Sequence, residues 1–258
     1  MNKILRSLLL RAPKIYQSVF HFKNNYQINF YLNKVHEQDF EAFKLFPLDS
    51  SKLFVDIGAN VGMSALSILT INSQAKIVSF EPNPANYPYL DRLADKFANF
   101  QYLSVGLGAK TSNIAFYYPI YNNKPMTALG SCDRDKAEGW LNENTVYFFD
   151  ANKLETEKIT IEVKTLDSFE LKPDYIKIDV EGFEHQVLLG AAQTINHHRP
   201  ILLVEGVAQN DRVHQQLKQW KYQAYRFKDN IFYSDEFDCD NNFFIPQEKT
   251  DLIKAHLN

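Results

Sequence analysis

The segment from Leu53 to Ile71 constrains the fold of this 258-residue chain more than any other. A short apolar run is followed by the bend Gly58-Ala59-Asn60-Val61-Gly62, and a helical stretch follows the bend. Glycines at such a bend permit a tight turn and let a ligand approach the backbone closely. The pattern therefore predicts a strand, a ligand-binding turn and a helix whose first N–H groups are free to bind.

The same alternation continues along the chain. Apolar runs at 76–80, 100–105, 175–179 and 201–205 alternate with helical stretches after Pro84 and at 183–189. Further short runs at 223–227, 231–234 and 242–245 are interpreted as strands in the last part of the sequence. Alternating strands and helices indicate an α/β fold with a mostly parallel sheet and helices on both faces. Ligands bind such sheets at the carboxyl edge of the strands.

The chain divides into an N-terminal helical appendage at 1–50 and a main domain at 51–258. The appendage lacks glycine, and we expect a basic amphipathic helix at 1–11, a strand-like stretch at 26–32 and a helix at 37–46. The segment at about 119–158 is irregular and is too long for a simple connection. We interpret it as an insertion that binds the substrate or covers the site.

Composition narrows the functional classes. A net charge of -3 argues against non-specific binding of nucleic acid. No run reaches the roughly 18 apolar residues of a membrane span, although the basic N-terminal helix could touch a surface or a partner. We therefore expect a cytoplasmic protein.

Two acidic residues give the bend its chemistry. Asp56 precedes Gly58 by two residues, in a D-x-G-x-x-x-G spacing that differs from the G-x-G-x-x-G of pyrophosphate-binding proteins. An acid there would repel a pyrophosphate but suits a ligand with an ammonium and a sulfonium. Glu81 follows the second apolar run, where an acid is placed to accept hydrogen bonds from ribose hydroxyls.

Three sequence blocks together resemble the FkbM family of methyltransferases. They are Phe54-Val55-Asp56-Ile57-Gly58-Ala59-Asn60-Val61-Gly62, then Phe80-Glu81-Pro82, then Asp174-Tyr175-Ile176-Lys177-Ile178-Asp179-Val180-Glu181-Gly182-Phe183-Glu184. The third block is the most specific of the three. The resemblance implies a Rossmann-like class I methyltransferase fold with a seven-stranded sheet.

The resemblance also implies S-adenosylmethionine as the cofactor and the hydroxyl of a sugar, glycan or natural product as the acceptor. By matching position, the methionine part would be held by Asp56, Gly58, Asn60 and Gly62. Glu81 would bind the ribose, and Ser104 and Val105 would border the adenine. Ser104 departs from the acid or asparagine that many class I enzymes carry at its position.

Two residues are candidates for the catalytic base. Asp179 ends the predicted strand at 175–179, where a carboxylate could take a proton from an acceptor hydroxyl. Its alternative role is to fix the following turn and cap the next helix. His185 is the second candidate. Asp179 and Glu205 lie at the ends of neighbouring predicted strands, where two carboxylates could bind a divalent cation. Gly206 stands where a third ligand would be needed, so we predict no metal.

Two other classes remain open at this level. A non-catalytic homologue would bind the cofactor within a glycan-assembly complex, and a nicotinamide-dependent oxidoreductase would share the sheet edge and the ribose-binding acid. Acceptor specificity is assigned to the 119–158 insertion and the appendage. Five aromatic residues of that insertion and its border are candidates for stacking on a sugar ring or for packing, namely Tyr117, Tyr118, Tyr121, Trp140 and Tyr147.

Overall fold

The computed structural model describes residues 34–126, 129–237 and 241–258. The helix predicted at 1–11 and the strand-like stretch predicted at 26–32 lie outside the described residues. The described residues form two compact units, one made of the described parts of 34–112 and 162–258, the other of those of Asn113–Ile161. The segment predicted as an insertion, about 119–158, falls within the second unit.

The elements follow the alternation read from the sequence. The strands are β1 (Leu53–Ile57), β2 (Lys76–Phe80), β3 (Phe100–Leu103), β4 (Gly106–Leu107), β5 (Ser112–Tyr121), β6 (Lys124–Pro125), β7 (Leu154–Lys164), β8 (Tyr175–Ile178), β9 (Ile201–Glu205), β10 (Tyr222–Lys228), β11 (Ile231–Ser234) and β12 (Asn241–Pro246). The α-helices are α1 (Met63–Ile71), α2 (Tyr87–Lys96), α3 (Arg134–Gly139), α4 (Glu184–Gly190), α5 (Ala192–His198) and α6 (Arg212–Gln219). Single-turn or longer 3-10 helices lie at Gln38–Leu45, Pro84–Asn86, Ala151–Lys153, Leu166–Phe169 and Gln247–His256.

The central sheet has the strand order β11-β10-β12-β9-β8-β1-β2-β3. The strands from β9 to β3 pair in parallel, and β12, β10 and β11 pair antiparallel. The predicted α/β architecture is confirmed, with eight strands in this sheet where the family resemblance implied seven. The additional strand is β11, which follows β10 after a two-residue turn at Asp229 and Asn230, both with positive φ.

One face of this sheet is apolar and forms the larger core. Val55, Ile57, Ile176 and Ile178 lie on it, in register with buried residues of β2 and β9. Val187 of α4, Ile195 of α5 and Leu217 of α6 belong to the same buried cluster. Burial of aliphatic side chains on this face thus fixes the three helices that follow β8 and β9.

The opposite face carries a row of polar residues. Ser79, Asp56 and Lys177 are in register across β2, β1 and β8, so their side chains point to one side. We call this side the polar face. Towards the amino ends of the strands the same face turns aromatic, with Phe54 and Tyr175.

The segment at 34–48 covers that aromatic region. Phe43, in the 3-10 helix Gln38–Leu45, is fully buried, and its ring centroid lies 5.3 Å from Phe54, 5.7 Å from Tyr175 and 5.6 Å from Phe243. The sequence predicted an α-helix at 37–46 within an appendage. The structure has a 3-10 helix instead, and its aromatic residues are part of the sheet's core.

The second unit has a small core of its own. Among the described residues Tyr121 stacks on Phe149 with ring centroids 5.4 Å apart, and Leu141 and Val146 are buried beside them. The backbone N–H of Asn122 donates to the carbonyl of Lys153. The segment that the sequence left irregular therefore contains α3, a 3-10 turn and the beginning of β7.

Candidate functional site

The carboxyl ends of β1, β2 and β8 meet at one edge of the central sheet. The N–H groups of Gly58 and Ala59 both donate to the carbonyl of Phe80, at 3.0 and 3.1 Å, and the N–H of Asp179 donates to the carbonyl of Ile57 at 3.0 Å. The bend after β1 is thereby tied to the residues that follow both neighbouring strands. This edge is where parallel α/β sheets bind ligands.

Positive φ angles give the bend its shape. Gly58 and Gly62 have φ angles of 86° and 85°, a conformation that glycine adopts without strain. Asn60 has a φ of 49°, and asparagine is one of the few other residues that tolerate this region. A Cβ atom at Gly58 would lie 1.8 Å from the carbonyl oxygen of Asp179, so only glycine fits there.

Asp56 is completely buried beneath the bend. One carboxylate oxygen, Oδ2, accepts a hydrogen bond of 3.0 Å from the hydroxyl of Ser79. The other, Oδ1, is buried and has no hydrogen-bond partner. Burial raises the pKa of Asp56, although the nearby charge of Lys177 acts in the opposite direction. An unsatisfied buried acceptor of this kind is costly unless a donor reaches it.

Glu81 stands at the end of β2 and fastens the bend to the next loop. Its Oε2 accepts from the N–H of Asn60 at 2.7 Å, and its Oε1 accepts from the N–H of Asn83 at 2.8 Å. Burial raises the pKa of Glu81 to about 7, against the lowering effect of these backbone hydrogen bonds. A carboxylate oxygen has a second lone pair, so each can accept a further hydrogen bond.

Ser104 and Val105 follow β3 on the far side of Glu81. The carbonyl of Leu103 accepts both the N–H of Glu81, at 3.1 Å, and the N–H of Val105, at 2.9 Å. Val105 is buried and Ser104 is exposed. The structure thus brings both residues beside the predicted ribose-binding acid.

The site fits a cofactor that brings hydrogen-bond donors. Besides Asp56 Oδ1, the side-chain oxygen of Asn60 is buried without a partner. Both atoms are acceptors, and both belong to the bend predicted to hold the methionine part of the cofactor. An ammonium group has N–H donors for both acceptors that lack a partner. Its positive charge would also pair with the carboxylate of Asp56.

Asp179 directly follows β8 and forms a buried ion pair. The Nζ of Lys177 lies 2.7 Å from its Oδ2, while 29% of the Asp179 side chain stays exposed. Burial works to raise the pKa of Asp179, but the charge of Lys177 and a hydrogen bond with Glu205 more than offset it, so the pKa is lowered. The alternative role of Asp179 as a helix cap is not seen, since α4 has no side-chain cap.

Lys177 is the cation of the polar face. Its side chain is 5% exposed and stands in register with Asp56. Burial alone would lower its pKa, yet the charges of Asp179 and Asp56 raise it, so the ammonium is permanently charged. Lys177 therefore holds Asp179 in the ionised form, and it opposes the rise in the pKa of Asp56 that burial causes.

The second predicted base, His185, is placed elsewhere. It is the second residue of α4 and is half-buried. Within the described ranges no contact joins its ring to Asp179. The histidine that the structure does place in the electrostatic field of Asp179 is His36, whose Nδ1 lies 2.7 Å from the hydroxyl of Ser67 on α1. Burial lowers the pKa of His36 to about 4, helped by the charge of Lys177, so the ring is neutral.

Sequence reasoning missed several residues of this site. Ser79 and Lys177 flank Asp56 only because of strand register, and the period-two pattern of β2 and β8 was the available signal. His36 comes from the 34–48 segment, and no local pattern connects it with β8. Among the described residues no group of three His, Cys, Asp or Glu side chains is arranged to hold a metal ion.

The doubly wound sheet, its glycine bend and its buried acids define a protein that binds a nucleoside-containing cofactor at the carboxyl edge. A family model described as "Methyltransferase FkbM domain" matches residues 56–227. The chain belongs to the FkbM methyltransferase family. Methyltransferases of this family use S-adenosylmethionine, which is the cofactor implied by the sequence.

Known relatives agree with this assignment. The chain is 27% identical over 168 residues to "Methyltransferase 1" of Beauveria bassiana, covering 60% of this chain and 66% of that protein. It is 28% identical over 171 residues to the "Hexuronic acid methyltransferase AglP" of Haloferax volcanii, covering 62% of this chain and 59% of that protein. The match thus spans less than two thirds of either relative.

A solved structure shows the same fold. The methyltransferase FkbM from Methylobacillus flagellatus superimposes with a TM-score of 0.51 at 17% identity, covering 83% of this chain and 47% of that one. This likeness confirms the Rossmann-like class I fold. In the described part of the chain no helix has the length and apolar character to cross a membrane.

Proposed function

We propose that this protein is an S-adenosylmethionine-dependent O-methyltransferase that acts on a hydroxyl group of a sugar, glycan or natural product. One observation carries the proposal. A charged lysine holds an ionised, partly exposed Asp179 beside a bend whose orphaned acceptors suit the cofactor's ammonium. A proton acceptor and a methyl-donor site thus lie at the same sheet edge.

Each residue has a defined task in this reaction. The cofactor supplies a methyl group activated by attachment to a positively charged sulfur. Asp56 and Asn60 would bind the amino-acid end of the cofactor, and Glu81 would accept hydrogen bonds from its ribose hydroxyls. With the cofactor bound, transfer of the methyl group to the acceptor oxygen would break the carbon–sulfur bond and leave its electron pair on sulfur, and Asp179 would take the hydroxyl proton. Alignment of the two reactants contributes much of the acceleration.

The acceptor class is supported by relatives and by the second unit. A methyltransferase of hexuronic acid is among the relatives, and the second unit exposes Trp140 and Tyr147, at 49% and 44%. Exposed aromatic faces of this kind are suited to stacking on sugar rings. Tyr121, a third aromatic candidate, is instead buried in that unit's core.

The proposal is tested by radiolabelled methyl transfer. Purified protein is incubated with methyl-labelled S-adenosylmethionine and fractionated glycans or metabolites of its host. We expect label in a product that is stable to base, as an ether is and an ester is not. Label in a nucleic acid or protein fraction alone would contradict the proposal.

Asp179→Asn tests the proton acceptor. We expect unchanged affinity for S-adenosylhomocysteine and turnover at least tenfold slower, because the amide cannot take the proton. His185→Gln is the matched variant, with turnover near that of the wild type. If Asp179→Asn is as fast as the wild type, or if His185→Gln is the slow one, the assignment is wrong.

A non-catalytic cofactor-binding role is the second candidate. The observation in its favour is that the acid–base residues of the edge are fully engaged with one another, as in a structural network. Tight calorimetric binding of S-adenosylhomocysteine without methyl transfer to any fraction would favour it.

A further inference from the structure

We propose that Glu205 and Asp179 work as one proton-sharing carboxyl pair, in which Glu205 carries the shared proton and keeps Asp179 ionised and directed at the acceptor hydroxyl. The inference rests on the proposed methyl transfer. It makes Glu205 a positioning residue, since it acts on the acceptor through Asp179.

Strand register brings the two carboxyl groups together. Ile178 of β8 is paired with Val204 of β9, so the next residues, Asp179 and Glu205, emerge side by side at the carboxyl edge. Their carboxyl groups are in hydrogen-bond contact, and two carboxyl groups make such a contact only when one of them is protonated. This arrangement is favourable when the two carboxyl groups share one proton.

The surrounding charges decide which carboxyl group is protonated. Lys177 forms its 2.7 Å ion pair with Asp179, so Asp179 is the member held as the anion. Burial raises the pKa of Glu205 to about 9, and the hydrogen bond and the charge of Asp179 add to this effect. At neutral pH the pair accordingly holds one proton, on Glu205.

The other charged groups around the pair come from three elements. The charge of Asp56, on β1, raises the pKa of Lys177. Glu181, in the loop after β8, raises the pKa of Glu205, and His36, in the 34–48 segment, is neutral. Asn241 of β12 contacts two more acids, since its Nδ2 lies 3.0 Å from Glu37 Oε2 and 3.2 Å from Asp39 Oδ2. Asp179 and Glu181 thus oppose ionisation of Glu205, and the charge of Lys177 favours it.

An independent feature beside the pair indicates a ligand. Asn241 is directly opposite Glu205 in the antiparallel register of β12 and β9, so the two side chains share a face. Its side chain is 4% exposed, and its Oδ1 is buried with no partner. An acceptor hydroxyl that approaches Asp179 would bring the donor that this oxygen lacks.

The pair also explains where the reaction's proton goes. As the acceptor oxygen bonds to the methyl carbon, the proton moves to Asp179, and the pair changes from one proton to two. Lys177 is then left as a buried cation without its ionised partner, which is unfavourable. The second proton therefore leaves through the exposed part of Asp179, and the singly protonated pair is restored.

Carbon NMR of glutamate-labelled protein tests the pair without any acceptor. The Glu205 carboxyl resonance is the one lost in Glu205→Gln, and the exposed Glu170→Gln serves as a control for assignment. We expect this resonance to titrate well above the ordinary glutamate value of about 4.3, and to shift towards that value in Asp179→Asn. A resonance that titrates near 4.3, or is unaffected by Asp179→Asn, would overturn the pair.

Enzyme kinetics test its role with two replacements of Glu205. Gln keeps a hydrogen-bond donor for Asp179, whereas Leu has none. We expect Glu205→Gln to keep kcat within about threefold of the wild type. Its pH profile should lack the change at alkaline pH that ionisation of Glu205 gives the wild type. We expect Glu205→Leu to lose at least tenfold in kcat with unchanged cofactor affinity. Equal rates for the two variants, or an unchanged pH profile in Glu205→Gln, would overturn the positioning role.

The proposed methyl transfer and the carboxyl pair can be disproved separately. A wild-type protein that transfers no methyl group while Glu205 titrates as expected contradicts the proposed function alone. A wild-type protein that transfers methyl groups while Glu205 titrates near 4.3 contradicts the pair alone.

Discussion

Asp56 is the residue proposed to bind the cofactor's ammonium group. Its Oδ1 lacks a partner in a fully buried position, and burial raises its pKa. We expect Asp56→Asn to weaken binding of S-adenosylhomocysteine by about 10- to 100-fold, because a charge-assisted hydrogen bond contributes about 1.5–3 kcal/mol. Isothermal titration calorimetry measures this change.

The unliganded stability of the same variant separates binding from folding. The amide keeps an acceptor for Ser79 and cannot place a charge in this buried position, so the free energy of unfolding should not fall. Asp251→Asn, on the exposed C-terminal 3-10 helix, is the control and should change neither quantity. Undiminished affinity in Asp56→Asn would show that the ammonium binds elsewhere.

Glu81 makes stability and cofactor binding respond oppositely to pH. Its pKa is about 7 in the folded protein, above the 4.5 of an unperturbed glutamate. Between these values the folded state binds more protons than the unfolded state, so its contribution to stability falls as pH rises, by up to about 3 kcal/mol in total. Ribose hydroxyls need the carboxylate as acceptor, so cofactor affinity should rise over the same range.

The measurement is chemical denaturation of the unliganded protein from pH 5 to pH 8, with Glu81→Gln as the reference that cannot titrate. The difference between the two free energies of unfolding isolates Glu81. A difference that stays constant with pH would contradict the raised pKa.

At the level of elements, the bend after β1 is fixed by backbone contact. Gly58→Ala would place a Cβ atom 1.8 Å from the carbonyl oxygen of Asp179 and would force a positive φ on alanine. We expect a loss of at least about 2 kcal/mol in the free energy of unfolding. Thermal denaturation followed by circular dichroism checks this.

Gly139→Ala is the matched control for that substitution. Gly139 ends α3 and has nothing within 4 Å of the added Cβ position, so the variant should be neutral or more stable by up to about 1 kcal/mol. If both variants have wild-type stability, the close approach at Gly58 is not real.

The sequence predicted the positions of strands and helices better than the side-chain contacts between them. β1, the bend and α1 were located correctly because glycine placement and apolar periodicity act within a few residues. The hydrogen bond from Ser79 to Asp56 and the position of Lys177 beside Asp56 depend on register across separate strands, which local pattern does not encode. The run at 231–234 forms β11, which pairs with β10 in a local hairpin and adds an eighth strand to the seven that the resemblance implied.

For the whole molecule, the 34–48 segment is part of the core although it precedes the family-matched region. Phe43 contacts aromatic residues of β1, β8 and β12, so its partners lie up to 200 residues away in sequence. This separation is why an appendage was expected from sequence. Phe43→Ala should cost about 3–5 kcal/mol, because it opens a cavity among close-packed rings.

Phe148→Ala is the control for size and chemistry, since Phe148 is 80% exposed and its loss should change stability by less than about 0.5 kcal/mol. Urea denaturation of both variants compares them. If the Phe43 variant is as stable as the Phe148 variant, the 34–48 segment does not contribute to the stability of the core.

The contact between Gly58 and the Asp179 carbonyl has a consequence for how such an enzyme can diversify. Main-chain atoms set the spacing between the glycine bend and Asp179. Exposed side chains around this edge can then be exchanged for others without changing that spacing. The fixed part of the site is built from backbone, and the variable part from side chains.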